Sequence, residues 1–153
     1  MITELEDVCE TIPSSKFNVT IIYEAVRDGI RAKWFSDQLA AKAAGECELN
    51  LNIWNFRVLR IHEVRNIAAS LAAAADVVIF SMSGEREFPP TVQEWIEMWS
   101  WLIDLSHPMV IAIFAIPAAG FVSVRNRLQS VAIRKGLNFL AATPQEQWVL
   151  TLK

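Results

Sequence analysis

Polar side chains with binding chemistry gather where the predicted strands end. A carboxylate and an aromatic ring close the first strand, two hydroxyls stand at the end of the third, and a guanidinium follows in the next turn. Carboxylate, hydroxyl and guanidinium groups hydrogen-bond polar small molecules, and aromatic rings can flank a flat ligand. The candidate ligand-binding residues are Tyr23, Glu24, Trp54, Ser81, Ser83 and Arg86. The alternative for the two aromatic residues is that they cap the core, as aromatic residues at strand ends usually do.

Two charged pairs in the same loops extend this candidate site. Glu24 with Arg86, or Glu85 with Arg57, could hold a polar ligand between them. The alternative is that these are solvated loop charges, because surface ion pairs are common and contribute little to stability. No catalytic residue and no metal ligand is predicted.

The catalytic motifs of common enzymes are poorly matched. Ser83 could serve a hydrolase or transferase, but Ser81 stands where the GxSxG nucleophile motif needs glycine. His62 belongs near a helix start and His107 to the amino-terminal edge of the fourth strand, so neither is expected to meet Ser83. The chain contains no GxGxxG and no GKS or GKT sequence for nucleotide phosphates. A reaction at Ser83 is therefore the weakest alternative.

The two cysteines do not indicate a metal or redox site. Cys9 and Cys47 are 38 positions apart and form no CxxC pair. With only two histidines in addition, a zinc site is not expected. The pattern favours reduced thiols in a cytoplasmic protein, and the opening residues Ile2-Thr3-Glu4 do not begin a secretory signal peptide.

Strand-like and helix-like segments alternate from residue 17 onward, which predicts parallel strands joined by right-handed helical crossovers. The third and fourth strands are apolar runs typical of strands buried on both faces, whereas the second alternates leucine and isoleucine with asparagine, as an edge strand does. The predicted fold is α/β, a three-layer, doubly wound sheet of five parallel strands in the flavodoxin-like order 2-1-3-4-5. The predicted strands are 17–24, 48–56, 76–82, 109–116 and 137–141, and the predicted helices are 30–44, 61–75, 91–105 and 121–135.

Charge is unevenly distributed along the 153 residues, which are enough for one domain. Residues 1–16 form an acidic arm with four carboxylates against Lys16, and residues 17–153 form the predicted domain, with 13 acidic and 13 basic residues. A neutral domain lacks the electrostatic footprint of a nucleic-acid-binding protein. Residues 120–145 contain four basic residues and no acid, which indicates either a solvated face or a docking patch for an acidic partner.

The hydropathy of the chain is high, with a mean hydropathy of +0.28. The most apolar stretch, 109–122, has only 14 residues and is interrupted by Pro117 and Gly120. Because a spanning helix needs roughly 20 apolar residues, we expect a buried strand there and no membrane segment.

The third predicted helix carries more apolar surface than a helix packed on one side needs. Its large apolar side chains form two stripes with i, i+4 and i+7 spacing, which are Trp95, Trp99 and Leu102, and then Met98, Trp101 and Leu105. Tryptophan and methionine are enriched at protein interfaces. The second stripe is therefore predicted to form a homodimer or to bind a protein partner. The alternative is that it packs against the arm or against the chain around Trp148.

The layout from residue 17 to about 142 resembles flavodoxins and response-regulator receiver domains. The receiver resemblance implies an acidic pair after the first strand, a phosphate-accepting aspartate after the third, and a lysine after the fifth. Here Glu24 stands alone, Ser81-Met82-Ser83 ends the third strand, and Thr143 follows the fifth. The fourth strand also lacks the usual serine or threonine at its end. The resemblance thus implies a degenerate receiver that is not phosphorylated on aspartate.

The flavodoxin resemblance implies a phosphate-binding loop rich in glycine and hydroxyl residues after the first strand. Residues 24–29 contain one glycine, no serine or threonine, and two carboxylates that would repel a phosphate. No cofactor is therefore predicted, and FMN is not expected.

The segments Ala74–Ser81, Pro89-Pro90 and Trp95-Ile96 are similar to a set of bacterial proteins of comparable length. This likeness implies the fold and no activity. The favoured function is a non-catalytic regulatory or protein-interaction module resembling a degenerate receiver. The alternative is a binder of a small ligand or nucleotide at the carboxyl ends of the first and third strands.

Overall fold

The computed structural model describes residues 16–43, 48–104, 107–116 and 119–143. Residues 1–15 of the acidic arm, both cysteines, Leu105 and the chain around Trp148 lie outside the described residues, so the predictions made for them stay predictions.

Five parallel strands form one sheet in the order β2-β1-β3-β4-β5, which confirms the predicted topology. The fold is thus flavodoxin-like, with helices on both faces of the sheet. The strands are β1 (Phe17–Tyr23), β2 (Leu49–Asn55), β3 (Val77–Met82), β4 (Met109–Phe114) and β5 (Phe139–Ala142). The helices are α1 (Val26–Ala43), α2 (His62–Ala73), α3 (Pro90–Leu102) and α4 (Ala119–Lys135), with a 3₁₀ helix over Phe56–Arg60.

Two local structures differ from the sequence prediction, and both lie near the strand ends that matter for binding. Helix α1 begins at Val26 rather than residue 30, because the Asp28 carboxylate accepts a hydrogen bond from the Ala25 backbone N–H at 3.0 Å and so caps the helix start. The 3₁₀ helix was not predicted. The Asn55 side chain starts it by accepting a hydrogen bond from the Arg57 N–H at 2.8 Å.

Strand β2 is an edge strand, as its alternation predicted. Leu49 and Leu51 pack against the apolar cluster on the α1 face of the sheet, and Trp54 packs against the cluster on the opposite face. Ile53 is 40% exposed because only one neighbouring strand pairs with β2. The two predicted central strands, β3 and β4, are buried along nearly their whole length.

The two faces of the sheet are covered unequally by the described helices. Of the helices in the described part of the chain, α1 alone packs on one face, against residues of β1, β3 and β4. Helices α2, α3 and α4 cover the other face. The centre of this second layer is aromatic: Trp95 and Trp99 of α3 stack with their ring centroids 5.9 Å apart, and Phe80 of β3 lies about 6 Å from each. Among the described residues, no helix is long and apolar enough to cross a membrane.

The aromatic core yields a matched pair of variants. The Trp95 Nε1–H donates to the Arg65 carbonyl at 3.1 Å, whereas the equally buried Trp99 Nε1 has no partner. Both substitutions to phenylalanine remove similar volume, but Trp95→Phe also removes a hydrogen bond, whereas Trp99→Phe removes a buried donor that has no partner. We expect Trp95→Phe to lower the free energy of unfolding by about 1 kcal/mol more than Trp99→Phe. Urea unfolding followed by circular dichroism measures the difference, and equal losses would contradict the assigned hydrogen bond.

Candidate functional site

A crevice of about 370 Å³ lies at the carboxyl ends of β1 and β3. Its walls are the loop after β1, the start of the 3₁₀ helix and the loop after β3. The chain leaves β1 for α1 on one face of the sheet and leaves β3 for α3 on the other, so the crevice occupies the switch point of the fold. Ligands in doubly wound sheets bind at this place, and the volume is at the lower end of the usual range for small-molecule sites.

Glu24 joins the two loops that form the crevice. Its backbone N–H donates to the Ser81 carbonyl at 3.0 Å, and its Oε1 accepts a hydrogen bond from the Ser83 N–H at 3.0 Å. The other carboxylate oxygen, Oε2, has no hydrogen bond within the described part of the chain. Glu24 therefore positions the loop after β3 and keeps one acceptor for a ligand.

Asp28 has a structural role that the sequence analysis missed. Its side chain is 1% exposed, and its Oδ1 accepts a hydrogen bond from Arg31 Nη1 at 2.9 Å. Its Oδ2 caps the start of α1, and its backbone carbonyl accepts the Ser81 hydroxyl at 2.8 Å. Both oxygens of this carboxylate are thus occupied within the protein.

The two predicted serines differ in their access to the crevice. Ser81 is fully buried, its hydroxyl is bonded to Asp28, and it does not line the crevice. Ser83 does line it, and its Oγ accepts a hydrogen bond from the Glu85 N–H at 3.1 Å. Ser83 therefore also shapes the turn that carries Glu85 and Arg86.

The two predicted aromatic residues lie apart from the crevice and from each other. Tyr23 lies on the α1 face of the sheet, and its ring packs against Gly29. A Cβ at position 29 would lie 3.1 Å from this ring, so the close contact depends on glycine. Trp54 packs on the opposite face, and its Nε1–H donates to Asn52 Oδ1 at 2.7 Å. Trp54 is in register with Ile22, the residue before Tyr23, and successive side chains of a strand point to opposite faces, so the two rings do not flank a common ligand.

Three arginines converge on the crevice from three different segments. Arg27 comes from the first turn of α1, Arg57 from the 3₁₀ helix, and Arg86 from the loop after β3. All three residues are exposed, and none forms an ion pair within the described residues. Glu24 and Glu85 line the same crevice as their predicted partners Arg86 and Arg57, but neither pair is within ion-pair distance.

Glycines at two positions hold the Arg86 loop in place. Gly84 has a φ of +97°, a conformation that side-chain-bearing residues rarely adopt, and its carbonyl accepts a hydrogen bond from the Gly120 N–H at 2.9 Å. A Cβ on residue 120 would overlap the backbone of Arg86. The first turn of α4 therefore packs directly against the loop that presents Arg86.

The candidate residues named from the sequence leave out part of the crevice wall. Phe56 and Pro89 supply its apolar surface, and Phe56, expected at the end of the second strand, lies instead at the start of the 3₁₀ helix. Arg27 and Asp28, expected in the loop after the first strand, belong to the first turn of α1. The signal that could have corrected this is the capping pattern, in which an acidic residue three positions after the cap bonds back to the cap.

Neither histidine lies at the crevice. His62 is exposed at the start of α2, with its Nε2 3.4 Å from Asn66 Nδ2, and His107 is exposed before β4. Within the described residues, no group of three histidine, cysteine, aspartate or glutamate side chains could hold a metal ion.

Comparisons with known proteins assign no family to this arrangement. No family model and no curated protein sequence matches the chain. The likeness to receivers and to the set of bacterial proteins therefore stays a prediction, and the class defined by the structure is the flavodoxin-like fold with an arginine-lined crevice.

Two aspartates on α1 test how the crevice wall is held. Asp28→Ala removes a buried carboxylate with charged and backbone partners, and we expect it to lower the free energy of unfolding by about 3 kcal/mol. Asp37→Ala removes an exposed carboxylate 3.2 Å from Lys33, and we expect a loss under about 0.5 kcal/mol. Chemical denaturation of both variants gives the comparison. Similar losses would show that Asp28 does not organise the start of α1.

Proposed function

We propose that this protein binds a small anionic molecule in the crevice at the carboxyl ends of β1 and β3. The observation that carries the proposal is the convergence of Arg27, Arg57 and Arg86, which have no ion-pair partner within the described residues. Guanidinium groups present planar pairs of N–H donors that fit carboxylate and phosphate oxygens. Three such groups around one crevice favour an anion with several oxygen atoms.

The remaining walls of the crevice narrow the class of ligand. Phe56, which is 7% exposed, and Pro89 offer an apolar surface for a short carbon skeleton. Glu24 Oε2 and the Glu85 carboxylate can accept hydrogen bonds from hydroxyl groups. A phosphate monoester or carboxylate of a small hydroxylated molecule combines these features and suits the volume of about 370 Å³.

Binding without catalysis fits the contacts of Ser83, the one hydroxyl side chain among the residues that line the crevice. Its Oγ is engaged by the Glu85 N–H, and no described hydrogen bond links it to an imidazole or a carboxylate. A serine nucleophile needs such a base to remove its proton. The proposed role is therefore that of a ligand sensor or carrier.

Arginine variants test this function. We expect inorganic phosphate, glycerol phosphate or citrate to bind. Arg86→Gln should weaken binding about 10- to 100-fold, because a hydrogen bond to a charged group contributes about 1.5–3 kcal/mol. Arg60→Gln is the matched control, because Arg60 is exposed on the same 3₁₀ helix as Arg57 but does not line the crevice. Isothermal titration calorimetry measures the dissociation constants.

Four outcomes of that titration are informative. Tightest binding of glycerol phosphate would identify a phosphate monoester as the ligand class, and tightest binding of citrate would identify a carboxylate. Equal losses in Arg86→Gln and Arg60→Gln, or no binding of any of the three anions, would contradict the proposal. Native mass spectrometry of the purified protein would separately show a retained ligand as an added mass.

A second candidate function, a protein-interaction module, is supported by α3. Trp101 is 81% exposed, although its neighbours Trp95 and Trp99 are fully buried. Of the other two predicted interface residues, Met98 packs partly against the core, and Leu105 is outside the described residues. An exposed tryptophan of this kind is a typical anchor at protein interfaces.

The surroundings of Trp101 indicate the chemistry of a partner. We define the Trp101 surface as Trp101 and Lys135 together with Arg127 and Arg134, which line the neighbouring groove with Glu97. Lys135 Nζ lies 6.0 Å from the centroid of the Trp101 ring. The described residues 120–143 contain no acid. We propose that the partner is an acidic protein segment with apolar side chains.

Peptide binding tests the second candidate. A fluorescein-labelled 15-residue peptide of glutamate and leucine should bind, and Trp101→Ala should weaken binding at least tenfold, as loss of an aromatic anchor does. Ile67→Ala is the control, because Ile67 is 55% exposed on α2. Fluorescence anisotropy measures both. Equal peptide affinities of Trp101→Ala and Ile67→Ala would contradict the assignment. If the protein sediments as a dimer and Trp101→Ala sediments as a monomer, the partner is a second copy of the chain.

A further inference from the structure

We propose that residues 1–15 of this chain dock on its own Trp101 surface and cover it in the free protein. The inference rests on the second candidate function, because it names a segment with the chemistry expected of the partner. It is independent of anion binding, since the crevice lies at the carboxyl edge of the sheet and the Trp101 surface at the amino edge.

The charges of the two parts are opposite. Residues 1–15 carry four carboxylates, at Glu4, Glu6, Asp7 and Glu10, and no lysine or arginine. The Trp101 surface carries three cationic side chains, and within the described residues only Arg134 among them has an ion-pair partner, Glu97 at 3.3 Å. Opposite charge over several residues gives attraction that weakens as salt is added.

The apolar side chains of the two parts also match. Ile2, Leu5, Val8 and Ile12 recur at intervals of three and four residues, which is the spacing of an amphipathic helix. Such segments bind by laying their apolar side on an apolar groove while their charges face the rim. The exposed ring of Trp101 provides the apolar surface, and Lys135 lies beside it.

The topology places the attachment point of the arm at the same edge as this surface. Strand β1 begins at Phe17. The Asp76 N–H donates to the Asn18 carbonyl, which joins the start of β1 to the start of β3. The Met109 N–H donates to the Asp76 carbonyl, which joins the start of β3 to the start of β4. In parallel α/β units each helix runs back toward the start of the next strand, so Trp101 and Lys135, near the ends of α3 and α4, lie at this edge.

The arm is long enough to reach the Trp101 surface within one molecule. Adjacent strands are about 4.8 Å apart, so the starts of β1 and β4 are separated by about 10 Å, and the helices pack one layer above. Fifteen extended residues span up to about 50 Å, and about 22 Å if helical. A tethered segment has an effective concentration in the millimolar range, which favours docking on its own chain over docking on a second copy.

The functional consequence is competition at one surface. A docked arm excludes another acidic segment from the Trp101 surface, so a partner must displace the arm before it binds. The arm would thereby set a threshold for partner binding, and added salt or loss of its carboxylates would lower that threshold.

The experiment uses Cys9, which lies within the arm. In a full-length Cys47→Ser variant, Cys9 is the single thiol and takes a nitroxide spin label. We expect paramagnetic broadening of the Trp101 indole N–H and the Lys135 amide in nuclear magnetic resonance spectra, abolished when ascorbate reduces the label. Lys135→Glu should reduce the relaxation enhancement at Trp101 at least twofold, whereas the exposed control Arg60→Glu at the opposite edge should leave it unchanged.

Two results would overturn the proposal. One is the absence of broadening at Trp101 while other signals are broadened, which places the arm elsewhere. The other is broadening at Trp101 that is equally strong when spin-labelled protein without ¹⁵N is mixed with ¹⁵N-protein that carries no spin label, which assigns the contact to a second copy. Because the glutamate and leucine peptide is measured separately, failure of the arm contact with retained peptide binding would leave the second candidate function standing.

Discussion

The buried carboxylate of Asp28 is the contact on which the functional edge of this protein depends. It caps the start of α1 through the Ala25 N–H and pairs with Arg31. The backbone carbonyl of the same residue accepts a hydrogen bond from the Ser81 hydroxyl. A buried carboxylate is tolerated only when its oxygens are hydrogen-bonded. The bonds that satisfy it therefore set where α1 begins and where Arg27 emerges, and the Ser81 bond to the Asp28 carbonyl ties the start of α1 to β3.

Some charged groups that line the crevice are paired within the fold, and others can bind a ligand. Its lining includes three carboxylates and three guanidiniums, which suggests neutrality. However, Asp28 pairs with Arg31, which does not line the crevice, so the charge of Asp28 is balanced from outside. The three arginines, which have no ion-pair partner within the described chain, then face only Glu24 and Glu85. The crevice therefore has an excess of positive charge, which follows from the pairing of Asp28 rather than from the composition of the lining.

The fold was predictable because it depends on patterns that are local in sequence. Three patterns lead to the observed strand order: apolar runs at β3 and β4, alternation of apolar and polar residues in β2, and regular alternation of strands and helices. They suffice because parallel strands with right-handed crossovers allow few arrangements. The start of α1 and the 3₁₀ helix were missed because side chains decide them, through the Asp28 and Asn55 caps. Such caps compete with the turn preference of the same residue types.

The sequence alone determined the class of fold, the edge of the sheet where a binding site belongs, and the excess apolar surface of α3. Only the tertiary structure decided which residues meet there. It put Tyr23 and Trp54 on opposite faces, buried Ser81, and brought Arg27 beside Arg57 and Arg86. The physical reason is that strand order follows from short-range periodicity, whereas side-chain convergence depends on loop hydrogen bonds and close backbone contacts between segments distant in sequence.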